Sequence, residues 1–131
     1  MPLLSRLFLR LALTHLSVGA FAGAWLLSAL GGWPDSAPAW LRPAHVELLL
    51  LGWTLNLIMG TGYWILPRHA TGPARGRTGP VVFALVALNT GVVLAAGGWW
   101  LTGGRALEAA AAAAFAPHAW GRVRPSLRPS R

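Results

Sequence analysis

Residues 41–68 combine an apolar segment of bilayer length with a histidine near its beginning, and this constrains the fold more than any other feature. A helix needs about 20 residues to cross the hydrocarbon core, and the segment between Pro43 and Pro67 is long enough. His45 lies in its first turn, with Glu47 just after it. A histidine inside a membrane is costly unless it has a partner. His45 is therefore a candidate functional residue.

The composition indicates an integral membrane protein. The chain has 131 residues, of which 55% are hydrophobic and 11% are charged, whereas soluble domains carry about 25% charged residues. It contains no cysteine, which excludes disulfides, thiolate metal sites and a cysteine nucleophile. The formal net charge is +8. Because the arginines flank apolar segments, topology and anionic lipid explain this charge better than nucleic acid does.

Hydropathy predicts an all-α bundle of four transmembrane helices within residues 1–121. The predicted spans cover residues 4–30, 43–66, 80–102 and 105–120, with a tight turn at Gly103-Gly104 before the last span. The uncharged run in the first span exceeds the 7–15 residues typical of a signal peptide, so we expect this helix to be retained. Residues 122–131 repeat Pro, Ser and Arg and are predicted to form a disordered basic tail.

The arginines predict the orientation of the helices. With four spans, only Arg42 and Arg105 fall on one side of the membrane. Since basic residues concentrate on the cytoplasmic side, both termini are predicted to be cytoplasmic. All basic residues are arginine, in a chain rich in Ala, Gly and Pro, which indicates a bacterial inner-membrane protein. The residues on the predicted cytoplasmic side are Arg6, Arg10, Arg68, Arg75, Arg77, Arg122, Arg124, Arg128 and Arg131.

Three polar residues lie near the middle of their spans. At about 1.5 Å of rise per residue, His15, Asn56 and Asn89 reach a similar depth, and we expect them to form a polar cluster. Interhelical hydrogen bonding is one explanation of the cluster, and a proton or ligand site is the other. His45 lies roughly 20 Å from His15 along the membrane normal by the same rise. Glu47 is expected to interact favourably with the N-terminal end of its helix.

The second span resembles the second helix of the catalytic subunit of heme–copper oxidases and nitric oxide reductases. The resemblance rests on Arg42-Pro43-Ala44-His45, Gly52-Trp53, Gly60, Tyr63 and Pro67-Arg68 and covers about a fifth of the chain. In that family the corresponding histidine is an axial ligand of the low-spin heme. The resemblance therefore implies heme as a cofactor, with His45 as the iron ligand and Gly52 and Tyr63 beside the cofactor.

The chain lacks the rest of that family's ligand set. The family has about twelve helices and carries its other heme and metal ligands on later ones, so this chain is not expected to be a complete terminal oxidase or an independent enzyme. The expected partners are membrane lipid and either a second copy of the chain or a larger respiratory or denitrification complex. Two other functions stay open: a cofactor-free scaffold or assembly factor, and a small transporter component.

Overall fold

The computed structural model describes residues 1–33, 36–68 and 74–123, and these residues form four helices. We name them α1 (Leu3–Leu30), α2 (Leu41–Ile65), α3 (Gly79–Ala96) and α4 (Leu101–Val123). The first three are long and apolar enough to cross a membrane. The coarse prediction of an all-helical membrane protein is therefore confirmed. The tail residues 124–131 and His69 lie outside the described residues.

Glycine turns separate the helices within each hairpin. Helix α1 ends at Leu30 and is followed by Gly31 and by Gly32, which has φ 87°. Helix α3 carries Pro80 in its first turn and is followed by Gly98 at φ 70°. These left-handed conformations are strained for any residue with a Cβ atom, which explains why glycine occupies both positions.

The turn before α4 lies earlier than the sequence analysis predicted. Residues 97–100 make the connection, so α3 ends at Ala96, and Gly103 and Gly104 lie inside α4. The prediction of a turn at Gly103-Gly104 is wrong because these glycines serve helix packing instead. An ideal Cβ on Gly104 would lie 2.8 Å from the carbonyl oxygen of Gly91. Helix α4 also extends past the predicted span and includes Arg122, which we had placed in the tail.

Helix α2 contains an internal π-helical segment. Leu41–Glu47 is α-helical, Leu48–Trp53 is π-helical, and Thr54–Ile65 is α-helical again. The Thr54 hydroxyl donates to the carbonyl of Leu49, five residues earlier, at 3.0 Å. Such π segments are rare and often occur at functional sites. The segment also turns the residues that follow it relative to a regular helix.

The helices pack as two antiparallel hairpins joined through α2. Along the α1–α2 contact, Gly60 faces Phe8, Gly52 faces His15, and the His45 ring lies against Gly23. The α3–α4 hairpin joins at Gly91 and Gly104. Between the hairpins lies a shared core that includes Phe8, Tyr63, Val81, Leu88, Val92, Ala111 and Phe115.

Helix α4 is attached to α2 near both of its ends. Arg105 makes an ion pair with Glu47 near the start of α2. Arg122 donates hydrogen bonds to the carbonyl groups of Leu66 and Pro67 just beyond the end of α2. The two helices therefore run parallel across the same thickness of the protein.

Candidate functional site

His45 is held in the contact between α1 and α2. Its Nδ1 lies 2.8 Å from the carbonyl oxygen of Gly19, and an ideal Cβ on Gly23 would lie 2.6 Å from its Cε1. A carbonyl oxygen only accepts hydrogen bonds, so Nδ1 carries the proton and donates it. In the neutral ring with this tautomer, Nε2 carries the lone pair, which is the arrangement found in histidines that bind a metal ion.

An outward-facing groove leads to the His45 ring. Leu26, Ala29, Leu30 and Val46 form its apolar walls, while Arg42 and Ser36 contribute polar groups. A second groove, lined by Ala20, Gly23 and Leu27 among others, reaches the same ring from α1. Arg42 is exposed and lies one helical turn before His45. The site thus combines an imidazole nitrogen, apolar walls and a cation.

The other residues implied by the resemblance do not lie beside His45. Gly52 packs against His15, since an ideal Cβ there would lie 2.8 Å from the His15 Cγ. Tyr63 lies near the opposite end of α2, stacked on His118 with ring centroids 5.5 Å apart. By helical rise they are roughly 10 and 27 Å from His45 along the axis. Of the three residues that the resemblance implies, His45 is therefore the one that lies at this groove.

Of the three residues in the predicted midplane cluster, Asn56 and Asn89 bond to each other, and His15 lies against Gly52. The Asn56 and Asn89 amides donate to each other's oxygens, both at 3.1 Å. Their remaining N–H groups donate to the carbonyls of Gly52 and Leu85. All four amide hydrogens are thus used, two of them between α2 and α3 and two within their own helices. His15 is 7% exposed, and its Nδ1 has no hydrogen-bond partner among the described residues.

An ionic cluster of two buried acids and a half-exposed arginine joins α2 to α4, and it was not predicted from the sequence. Arg105 contacts both oxygens of Glu47, at 2.6 and 3.0 Å, and one oxygen of Glu108 at 3.1 Å. Glu47 and Glu108 are 4% and 5% exposed. The sequence feature that could have predicted this cluster is the placement of one arginine and two acids near the same end of two apolar segments. We had assigned Glu47 to a helix-dipole interaction instead.

A second missed residue is Arg122, at the other end of α4. Its guanidinium donates to the carbonyls of Tyr63, Leu66 and Pro67 and lies 5.6 Å from the Tyr63 ring centroid. The last carbonyls of a helix have no partner within it, so Arg122 caps α2 from a neighbouring helix. It is 3% exposed, which distinguishes it from Arg68 on the same side.

Within residues 1–33, 36–68 and 74–123, no group of three histidine, cysteine or acidic residues could hold a bare metal ion. Comparison of the chain with protein-family models, curated proteins and solved structures gives no match.

Proposed function

We propose that this chain is a small heme-binding membrane protein, similar to the first helices of the heme–copper oxidase catalytic subunit. It would act as an accessory component of a respiratory or denitrification complex. The observation that carries the proposal is the 2.8 Å hydrogen bond between His45 Nδ1 and the Gly19 carbonyl. This bond fixes the ring orientation and leaves Nε2 as the ligating atom.

The residues of the groove suit a heme. Leu26, Ala29 and Val46 offer apolar contact for a macrocycle, and Arg42 offers a guanidinium for its carboxylates. Gly23 leaves room for the His45 ring, because any side chain there would collide with it. When bound, the heme would supply an iron that changes between the ferrous and ferric states.

The finer topology belongs to the same proposal. We propose four spans, with both termini on the cytoplasmic side of a bacterial inner membrane. The two attachments of α4 support a fourth span, because its residues between Arg105 and Arg122 cover the same thickness as α2. The predicted distribution of arginines supports the orientation.

His45→Ala is expected to abolish heme binding. Protein purified with heme supplied should show a Soret band, and the variant should not, because it lacks the nitrogen that would hold the iron. Added imidazole should restore the band if the variant remains folded. His118→Ala, which removes a histidine at the other end of the bundle, should retain it. A wild-type protein that stays colourless with heme supplied would refute the proposal.

A cofactor-free scaffold or assembly factor is the second candidate. It is favoured by the fact that the His45 hydrogen bond joins α1 to α2 with or without an iron atom. A transporter is less well supported, because the Asn56–Asn89 pair uses all its amide hydrogens and His15 is the single titratable residue of the midplane cluster.

Copurification with an oxidase or reductase distinguishes scaffold from heme protein. For a scaffold, His45→Ala should leave copurification intact, while Gly52→Leu should break it, since a Cβ at Gly52 would lie 2.8 Å from His15. Gly121→Leu is the matched control because an ideal Cβ there meets nothing within 4 Å among the described residues. Retained binding by Gly52→Leu would contradict the scaffold function.

A further inference from the structure

The His45 site is incomplete within one copy of the chain. A heme iron has two axial positions, one on each face of the macrocycle, and His45 can fill one of them. The chain holds four histidines and two methionines in total. His15 faces Gly52, about two turns away from His45 along α2, and His118 stacks on Tyr63 at the far end. His69 follows the same far end in sequence.

The methionines do not complete the site either. Met1 precedes α1 at the end opposite Gly23, and Met59 is buried in the core shared with Phe8 and Tyr63. Since His45 faces outward grooves lined by α1 and α2, a second ligand has to approach from outside the bundle. The surfaces beside these grooves are apolar and exposed, including Leu27, Leu30 and Val46.

We infer that a second copy of this chain supplies the second axial ligand, so that one heme is held between two His45 residues. This inference rests on the proposed heme site. Two parallel copies related by a twofold axis along the membrane normal carry their His45 residues at equal depth. Each Nε2 then approaches the iron from its own face of the macrocycle.

Charge and symmetry support a second copy over an unrelated partner. A heme carries two carboxylates, and the dimer presents two Arg42 guanidiniums, one from each groove. The macrocycle has an approximate twofold axis in its own plane that exchanges both its faces and its two carboxylates. When this axis coincides with the dimer axis, each chain contributes one imidazole and one guanidinium, and the charges balance. Arg42 makes no hydrogen bond or ion pair within the described part of the chain.

The stoichiometry of heme binding tests the inference. Hemin titrated into the purified protein in detergent should saturate at one hemin per two chains, with a six-coordinate low-spin spectrum. Analytical ultracentrifugation of the loaded protein should give the mass of two chains. One hemin per chain with a single-chain mass would overturn the shared site while leaving heme binding by His45 intact. No hemin binding at all would refute the proposed function itself.

Mixed dimers provide the sharper test. Wild-type and His45→Ala chains with different tags are coexpressed and captured on both tags in turn. This pair should bind hemin in a high-spin form, with one axial position open or held by water, and added imidazole should convert it to a six-coordinate low-spin form. A doubly tagged wild-type pair is the control and should be six-coordinate low-spin without imidazole. A six-coordinate low-spin spectrum from the mixed pair without imidazole would overturn the inference, because the second ligand would then not be His45.

Discussion

Gly91→Leu is expected to separate α3 from α4 and to lower the free energy of unfolding by about 3 kcal/mol, at the upper end of the usual cost of overpacking. An ideal Cβ at Gly91 would lie 2.7 Å from the Gly104 carbonyl oxygen and 2.9 Å from the Glu108 Cγ. One of these neighbours is backbone and cannot move aside as a flexible side chain can. Unfolding in mixed detergent micelles measures the effect.

Gly79→Leu is the matched control for this substitution. It lies at the start of the same helix, where an ideal Cβ meets nothing within 4 Å among the described residues. We expect it to leave the stability nearly unchanged. Gly104→Leu should resemble Gly91→Leu, and the double variant should lose less than the sum, because both substitutions open the same contact. Equal stabilities of Gly91→Leu and Gly79→Leu would show that α3 and α4 do not pack this closely.

The contact at Gly91 illustrates why the helices pack as they do. Lipid is as apolar as leucine, so helices in a membrane associate through close backbone approach and polar contacts rather than through hydrophobic burial. Here the close approach is made by Gly91 and Gly104, and the polar contacts are the Asn56–Asn89 pair and the Arg105 cluster.

Hydropathy alone was enough to predict the existence and approximate bounds of the helices. The shift of the last turn was not predictable from it, because Gly97-Gly98 and Gly103-Gly104 are equivalent turn signals. Only the packing of Gly104 on Gly91 distinguishes them. The π segment of α2 was not predictable either, because hydropathy carries no information on the hydrogen-bond register within a helix.

The positions of the candidate site residues along their helices were predictable from the sequence, but their hydrogen-bond partners were not. Helical rise placed His45 near one end of its span and Asn56 level with Asn89. The Gly19 carbonyl that binds His45 carries no side-chain signal, so only the relative position of α1 and α2 reveals it. The ionic cluster was missed for a related reason. Glu47 and Arg105 are 58 residues apart, and their meeting depends on α4 running parallel to α2.

Arg122→Met is expected to lower the free energy of unfolding by about 3 kcal/mol, because it removes charged hydrogen bonds to several carbonyl groups at once. The Arg122 guanidinium lies 2.6 Å from the Leu66 oxygen, 3.0 Å from the Pro67 oxygen and 3.3 Å from the Tyr63 oxygen. Methionine preserves the apolar contact of the side chain but leaves these acceptors without a donor. Arg122→Lys should lose nearly as much, since one ammonium cannot reproduce the planar fork of a guanidinium.

Arg68→Met is the control for this change, because Arg68 belongs to the same end of the protein and is exposed. It removes an equal charge without removing a cap, so we expect little change in stability. A comparable loss in Arg68→Met would assign the effect to net charge near the membrane surface. A loss of stability confined to the Arg122 variant would mean that α4 is attached to α2 at its C-terminal end as well as at Glu47. That double attachment is the arrangement a fourth membrane span requires, since a helix lying on the surface could reach only one end of α2.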